Sequence, residues 1–195
     1  GRLPSLISTV GYVQYDEDQL QHVHPRVEGW IETLFVNASG DPVSRGEPLY
    51  TLYSPTLVNA QEELLLAWRR DDPALVKAAS ERLEGLRVPP EAIRTLRDSR
   101  TVSRTVTVMA PQDGVVDTLQ VRQGMYVKPG METLSIASLD HLWVIGEVFE
   151  RQATQVQVGD TVRIQLDFAP GREWEGRIDY VYPTLNTRTR TLQVR

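Results

Sequence analysis

One segment of this chain occurs twice, and the copies are separated by a stretch with a different periodicity. The first copy reads Val27-Glu-Gly-Trp-Ile-Glu-Thr-Leu-Phe-Val36, then Gly40-Asp-Pro-Val43 and Gly46-Glu-Pro-Leu49. The second reads Gln112-Asp-Gly-Val-Val-Asp-Thr-Leu-Gln-Val121, then Gly124-Met-Tyr-Val127 and Gly130. Gly29 and Gly114, Leu34 and Leu119, and Val36 and Val121 stand 85 residues apart. Gly40/Gly124, Val43/Val127 and Gly46/Gly130 stand 84 apart, so the first copy holds one extra loop residue. A unit repeated only twice at so long a spacing is not a solenoid, which needs a stack of neighbours. It predicts two halves of one small sheet module, an out-and-back path with the intervening stretch at its far end.

At 195 residues the chain can hold one or two domains with real cores. Its 41% hydrophobic and 24% charged content is ordinary for a soluble globular protein. A net charge of −5 without a Lys/Arg cluster argues against a nucleic-acid partner. No apolar run approaches the roughly 18 residues that suggest a spanning helix. The opening Gly1-Arg2-Leu3-Pro4 has no signal-peptide pattern and reads as the start of a mature fragment. Cysteine is absent, which removes disulfides, thiolate metal sites and cysteine nucleophiles together and is compatible with an oxidising compartment. The last residues, from Thr189 to Arg195, alternate like a strand and stop without a turn signal, as at a cut through a larger protein.

Periodicity divides the chain further. Residues 7–15 and Leu20 to Val27 read as strands, broken at Asp16-Glu-Asp. The first repeat copy follows as strands near 28–36 and 48–53. At Ser54-Pro55 the period becomes helical, a cap residue followed by a proline at the first helical position. Leu57, Gln61, Leu64, Leu65 and Trp68 then share one side. Asp72-Pro73 repeats the signal before the stripe Leu75, Val76, Ala79, Leu83 and Leu86, and Pro89-Pro90 opens a third helix with Ile93 and Leu96 inward. The first two helices are expected to be roughly 22–24 Å long, in a small antiparallel bundle. From Ser103 the period returns to two. After the second copy come three expected strands, Leu142 to Phe149, Thr161 to Phe168 and Trp174 to Tyr182, which suggest a small barrel joined by the N-terminal strands.

Half-module, helical insert, half-module, barrel is an order that resembles the periplasmic adaptor (membrane fusion) proteins of bacterial efflux pumps. Val27-Glu-Gly-Trp-Ile-Glu with Gly40 and Gly46 resembles the first half of the family's split biotinyl/lipoyl-like domain, and Ala110-Pro-Gln-Asp-Gly-Val-Val with Gly124 and Val127-Lys-Pro-Gly130 the second. Ser54-Pro-Thr-Leu-Val-Asn-Ala-Gln resembles the start of its helical hairpin. Leu142-Trp-Val, Val158-Gly-Asp, Pro170-Gly-Arg and Thr187-Arg-Thr-Arg-Thr-Leu resemble its barrel. The short, broken insert is similar to the heavy-metal branch, which serves copper/silver-type pumps of the resistance-nodulation-division class.

The resemblance implies a mainly β fold with a helical insert. Its parts would be a small β-barrel (1–26 with 138–195, including the start of a truncated membrane-proximal part), a split lipoyl-like β-sandwich (27–53 with 103–137) and a short three-helix hairpin domain (54–102). It implies no enzyme activity. It implies a periplasmic subunit associated with the inner membrane, linking a proton-driven inner-membrane cation pump to an outer-membrane channel and self-assembling as a hexamer. The alternatives are an adaptor for a drug, ABC-type or secretion exporter, and a carboxyl-carrier module. An Arg-Leu-Ser tip signature of some relatives is broken here: Arg82 and Leu86 fit, but Ile93 replaces the serine. The segment in which the copper/silver branch carries metal-binding methionines lies outside the matched part.

Several residues invite a chemical reading. His22 and His24 would point to one face of a strand and could chelate a transient Zn or Cu(I)/Ag(I) ion, with Glu28 or His141 as a third ligand, or could simply face solvent. Met109, Met125 and Met131 could offer thioethers or fill gaps in a core. Trp30, Trp68, Trp143 and Trp174 are expected to pack inward. Arg69, Arg70, Asp71 and Asp72 mark a helix-to-helix turn and are the candidates for partner docking. No covalently attached cofactor is expected: a carrier module needs a lysine at the turn between its halves, and of 21 basic residues only Lys77 and Lys128 are lysines, neither at such a turn.

Overall fold

The computed structural model describes residues 6–167 and 169–195, so the Gly1–Pro4 opening and Phe168, the end of one expected strand, lie outside the described residues. The elements run β1 (Gly11–Tyr15), β2 (Gln21–Val23), β3 (Gly29–Leu34), β4 (Pro42–Val43) and β5 (Pro48–Tyr53), then α1 (Pro55–Arg70), α2 (Pro73–Gly85) and α3 (Pro90–Ser99). After them come β6 (Thr105–Met109), β7 (Gly114–Leu119), β8 (Tyr126–Val127), β9 (Leu134–Ala137), β10 (Leu142–Phe149), β11 (Thr161–Gln165), β12 (Glu173–Arg177), β13 (Val181–Asn186) and β14 (Thr191–Val194). They fall into two compact units, Glu17–Leu139 and the residues up to Asp16 with Asp140–Arg195.

The first unit is a sandwich of two four-stranded sheets, β2-β9-β7-β4 and β6-β5-β3-β8. Each repeat copy contributes its long strands to one sheet and its short strand to the other: β4 pairs with β7 and β8 pairs with β3. Equivalent residues make equivalent bonds. The Gly40 amide donates to the Val116 carbonyl and the Gly124 amide to the Ile31 carbonyl, both at 2.7 Å. The register slips between Ile31 and Thr33 in one copy and between Val116 and Thr118 in the other, a bulge at the same place twice. A Cβ on Gly29 would stand 2.0 Å from the Tyr53 carbonyl oxygen, and one on Gly114 would stand 2.1 Å from that of Ala137. Both positions therefore require glycine for the same close backbone approach. Between the sheets lie Ile31, Leu49, Tyr50, Leu52, Val116, Val121, Val127, Leu134 and Ile136, all fully or almost fully buried. Each such aliphatic side chain contributes about 1.5–3 kcal/mol by leaving water.

The expected placement of the Leu20–Val27 strand with the barrel is not met. Its core, β2, pairs with β9 (Val23 opposite Leu134), and Val23 and Val27 enter the sandwich core. Alternation shows that a segment is a strand, but the partner is set by which apolar face completes which core.

The insert leaves β5 and returns to β6, which pair up to Tyr53 opposite Thr105, so it stands at one end of a hairpin. Pro55 opens α1, as expected, but the Ser54 hydroxyl makes no cap bond and is buried without a partner. Asp72 does cap α2, accepting from the Ala74 amide at 2.9 Å and the Leu75 amide at 3.3 Å. Ala60, Leu64, Leu65, Ala79, Leu83 and Leu96 form the insert's own core. Leu57 belongs instead to the sandwich core, while Leu86 and Val88 pack against both. The first helix thus starts on the sandwich and runs about 24 Å outward. Gln61, half-buried, ties down the return path: it donates to the Ser103 carbonyl at 2.8 Å and accepts from the Ser103 amide at 2.9 Å.

In the second unit β1-β10-β14-β13 form one sheet and β11-β12 a hairpin. Val148, Ile178 and Val194 make its core, with Val156, Val162 and Val181 against them. The strand expected from Trp174 to Tyr182 is two strands in different sheets. The break falls at Ile178–Tyr180, where the Ile178 amide bonds to Asp160 and the Asp179 and Tyr180 amides turn to the Arg195 carbonyl.

Candidate functional site

The two outer faces of the sandwich differ although the fold repeats. On the β6-β5-β3-β8 face, Trp30 lies 4.7 Å from Tyr126 and 6.1 Å from Tyr53, ring centre to ring centre. The Arg104 guanidinium sits 5.3 Å over Tyr53 and the Lys128 ammonium 6.0 Å over Tyr126. A shallow groove beside the rings is lined by Trp30, Glu32, Tyr53 and Gln123. Trp30 is 44% exposed, which corrects the expectation that it packs inward: Ile31 takes the inward phase of β3 and leaves its neighbour outside. At the positions matching Trp30, Tyr126 and Tyr53 the other copy carries Val115, Pro42 and Ala137. The sheet does not require the aromatic rings.

The opposite face is polar. His22 and His24 flank the buried Val23 and are both exposed, so the expected shared face is present. Their ring centres are 6.4 Å apart. His22 Nδ1 lies 3.0 Å from Glu132 Oε2. The other carboxylate oxygen of Glu132 accepts from the Thr118 hydroxyl at 3.2 Å and the Gln120 amide at 3.4 Å. Ser135 donates to Asp117 Oδ2 and lies 2.8 Å from the Thr118 hydroxyl. Neither expected third ligand is in this set. Glu28 is hydrogen-bonded to Tyr126, whose phenol is pushed up by desolvation and then by that carboxylate, and His141 belongs to the other unit. Among the described residues no three His, Cys, Asp or Glu side chains converge on one metal position. Glu132 is 110 residues from His22, and the signal that pairs them is the register of β2 on β9, which the sequence does not display.

The three methionines are engaged separately. Met131 packs against the sandwich core, Met109 is exposed on β6, and Met125 sulfur accepts from the Arg122 amide at 3.1 Å. Lys77 is exposed on α2, 3.9 Å from Glu81. None of the remaining tryptophans is fully buried: Trp68, Trp143 and Trp174 lie under the guanidinium groups of Arg100, Arg195 and Arg172.

At the far end of the insert, Arg69 and Arg70 are exposed on the last turn of α1 and Asp71 adopts a left-handed conformation at its C-cap. Asp72 is occupied by capping. Arg82 is bound to the Glu63 carboxylate at 2.7 Å, and Leu86 and Ile93 pack inside the insert, so the three positions aligned with the tip signature serve the insert's own packing.

ZneB from Cupriavidus metallidurans has a similar fold, with a TM-score of 0.61, 22% identity, and coverage of 95% of this chain and 87% of that one. The split sandwich with its helical insert is of the barrel-sandwich hybrid class, and a separate β-barrel domain follows it in the sequence. Residues 20–137 match the family described as CusB, barrel-sandwich hybrid domain, and residues 141–195 match the CusB-like β-barrel domain. The chain belongs to the CusB-like family. It is 32% identical over 184 residues to SilB of Salmonella typhimurium, which carries the description of a membrane fusion protein, and 30% identical over 184 residues to the cation efflux system protein CusB of Escherichia coli K12. Those alignments cover 94% of this chain but 43% and 45% of the relatives, so the chain spans under half their length.

Proposed function

We propose that this chain is the sandwich-and-barrel portion of a periplasmic adaptor that links a proton-driven inner-membrane cation pump to an outer-membrane channel in heavy-metal export. The observation that carries the reading is the insert. Where a carrier module would present an acylatable lysine on a tight turn between its halves, this sandwich grows a helical arm from the paired ends of β5 and β6. Such an arm is built to reach a partner rather than to carry a cofactor. The name of the relative CusB, a cation efflux system protein, supports a cation as cargo.

In this reading Arg69 and Arg70, exposed at the far end of the arm, meet the channel. The Trp30–Tyr53–Tyr126 patch meets a neighbouring copy in a ring, which the resemblance suggests is a hexamer. Trp30 and Tyr126 are exposed beside a half-buried Tyr53, and the equivalent positions of the other copy carry no aromatic ring, as an interface between unlike faces requires.

The test is a strain that lacks the full-length protein, challenged with copper, silver, zinc and organic toxicants. Sensitivity to metal ions, relieved by the intact protein and not by one with Trp30→Ala and Tyr126→Ala, supports the reading. Sensitivity confined to organic compounds overturns the cation assignment.

A further inference from the structure

The aromatic patch, the arm tip and the methionines are absorbed by the reading above or by packing. The polar face around β2 is not. We propose that His22 and His24 form an open, two-imidazole site for a borderline transition-metal cation, with Glu132 as the residue that positions His22.

Three observations carry this. First, both rings project from one strand face on either side of buried Val23, and their centres are 6.4 Å apart. Two imidazoles bound to one ion through metal–nitrogen bonds of about 2.0–2.1 Å place their ring centres about 5–6.5 Å apart, for angles from tetrahedral to linear. The observed spacing lies in that range. Second, Glu132 Oε2, 3.0 Å from His22 Nδ1, is placed to accept a hydrogen bond from Nδ1–H, the tautomer that leaves the Nε2 lone pair available to an ion. A carboxylate behind a histidine in this way fixes the tautomer and the ring orientation. Third, Glu132 is itself held by Thr118 and Gln120, so the positioning group is fixed before any ion arrives.

The donor atoms, rather than the surrounding charge, select the kind of ion. Glu132 contacts His22, and Arg26 lines the same shallow groove as His24. The field is therefore mixed, and attraction comes from ligation rather than charge. That favours Zn²⁺, Cu²⁺ or Cu⁺ over the oxygen-seeking Mg²⁺ and Ca²⁺. With two protein ligands the remaining coordination positions are open to water or to a donor from another protein, as transfer of an ion requires. The geometry stands alone; only the ion's role as cargo rests on the proposed function.

Calorimetric titration of this chain with Zn²⁺, with nitrogen-15 shifts of the histidines read in parallel, tests the site. One ion per chain is expected, with the shifts at His22 Nε2 and at His24. His22→Ala and His24→Ala should each weaken binding at least about tenfold, and Glu132→Gln by about tenfold while leaving stoichiometry intact. Unchanged melting of the variants shows that they fold. Affinity unaffected by the double histidine variant, or shifts confined to His141, overturns the proposal. Lost metal binding with intact metal resistance would sink the cargo role of this site while leaving the adaptor reading in place.

Discussion

Gly29 and Gly114 show how narrowly one atom can constrain this fold. A methyl group at either position would meet a strand-end carbonyl at about two-thirds of normal contact distance, and backbone rather than a mobile side chain stands in the way. Gly29→Ala and Gly114→Ala should each destabilise the sandwich by about 2–4 kcal/mol. Chemical denaturation of both variants checks this; a pair differing widely in cost would argue against their equivalence. Tyr50 offers a second case. It is fully buried, with its phenol 3.4 Å from the Thr133 hydroxyl, and burial pushes its ionisation above the ordinary tyrosine range. The unfolded chain loses that proton above about pH 10 while the folded chain keeps it. The stability involved is thus complete below that pH and is lost as pH rises through the folded value. Urea titrations from neutral to strongly alkaline pH should show Tyr50→Phe losing less stability than the parent. Other residues were not legible one at a time. Glu132 has no signal of its own, because its partner His22 comes near only when β2 docks on β9. Which way Trp30 faces is decided by its neighbours on both sides, not by its own residue type.

At the scale of elements, the helical arm depends on a few ties between distant stretches. Gln61 shares the inward side of α1 with Leu57, Leu64 and Leu65, yet its amide binds both the carbonyl and the amide of Ser103 while also donating to the Leu57 carbonyl at 3.1 Å. Gln61→Met keeps the length and removes these bonds, at a cost of about 1–3 kcal/mol. Amide hydrogen exchange at Ser103 should accelerate, with the β3–β5 amides unaffected; slow exchange at Ser103 would mean that packing alone holds the return path. Element boundaries marked by chemistry were legible: Asp72-Pro73 starts a helix because carboxylate and pyrrolidine each solve a helix-end problem. Boundaries made by a change of partner were not. Between Arg177 and Val181 the apolar alternation runs on, and the switch of sheet is set by the carbonyls of Asp160 and Arg195.

For the whole molecule, the repeat was the most telling signal, and it was legible because sterics at glycine and inward valines leave few substitutes. The assignment of the N-terminal strands was harder, since β1 joins β10 while β2, only a few residues later, joins β9. If the arm is an addition to a closed sandwich, residues 54–104 can be replaced by Asn-Gly, joining Tyr53 to Thr105 through a two-residue turn. The shortened protein should still melt cooperatively, at a lower temperature because Leu57, Leu86 and Val88 are lost; a non-cooperative melt would show the arm to be integral. The exchange of short strands has a further effect. Since β3 needs β8 beside it and β7 needs β4, neither half encloses anything until Val127 has been synthesised. The two halves of the sandwich are therefore expected to take shape together, because each supplies a strand that the other half's sheet lacks.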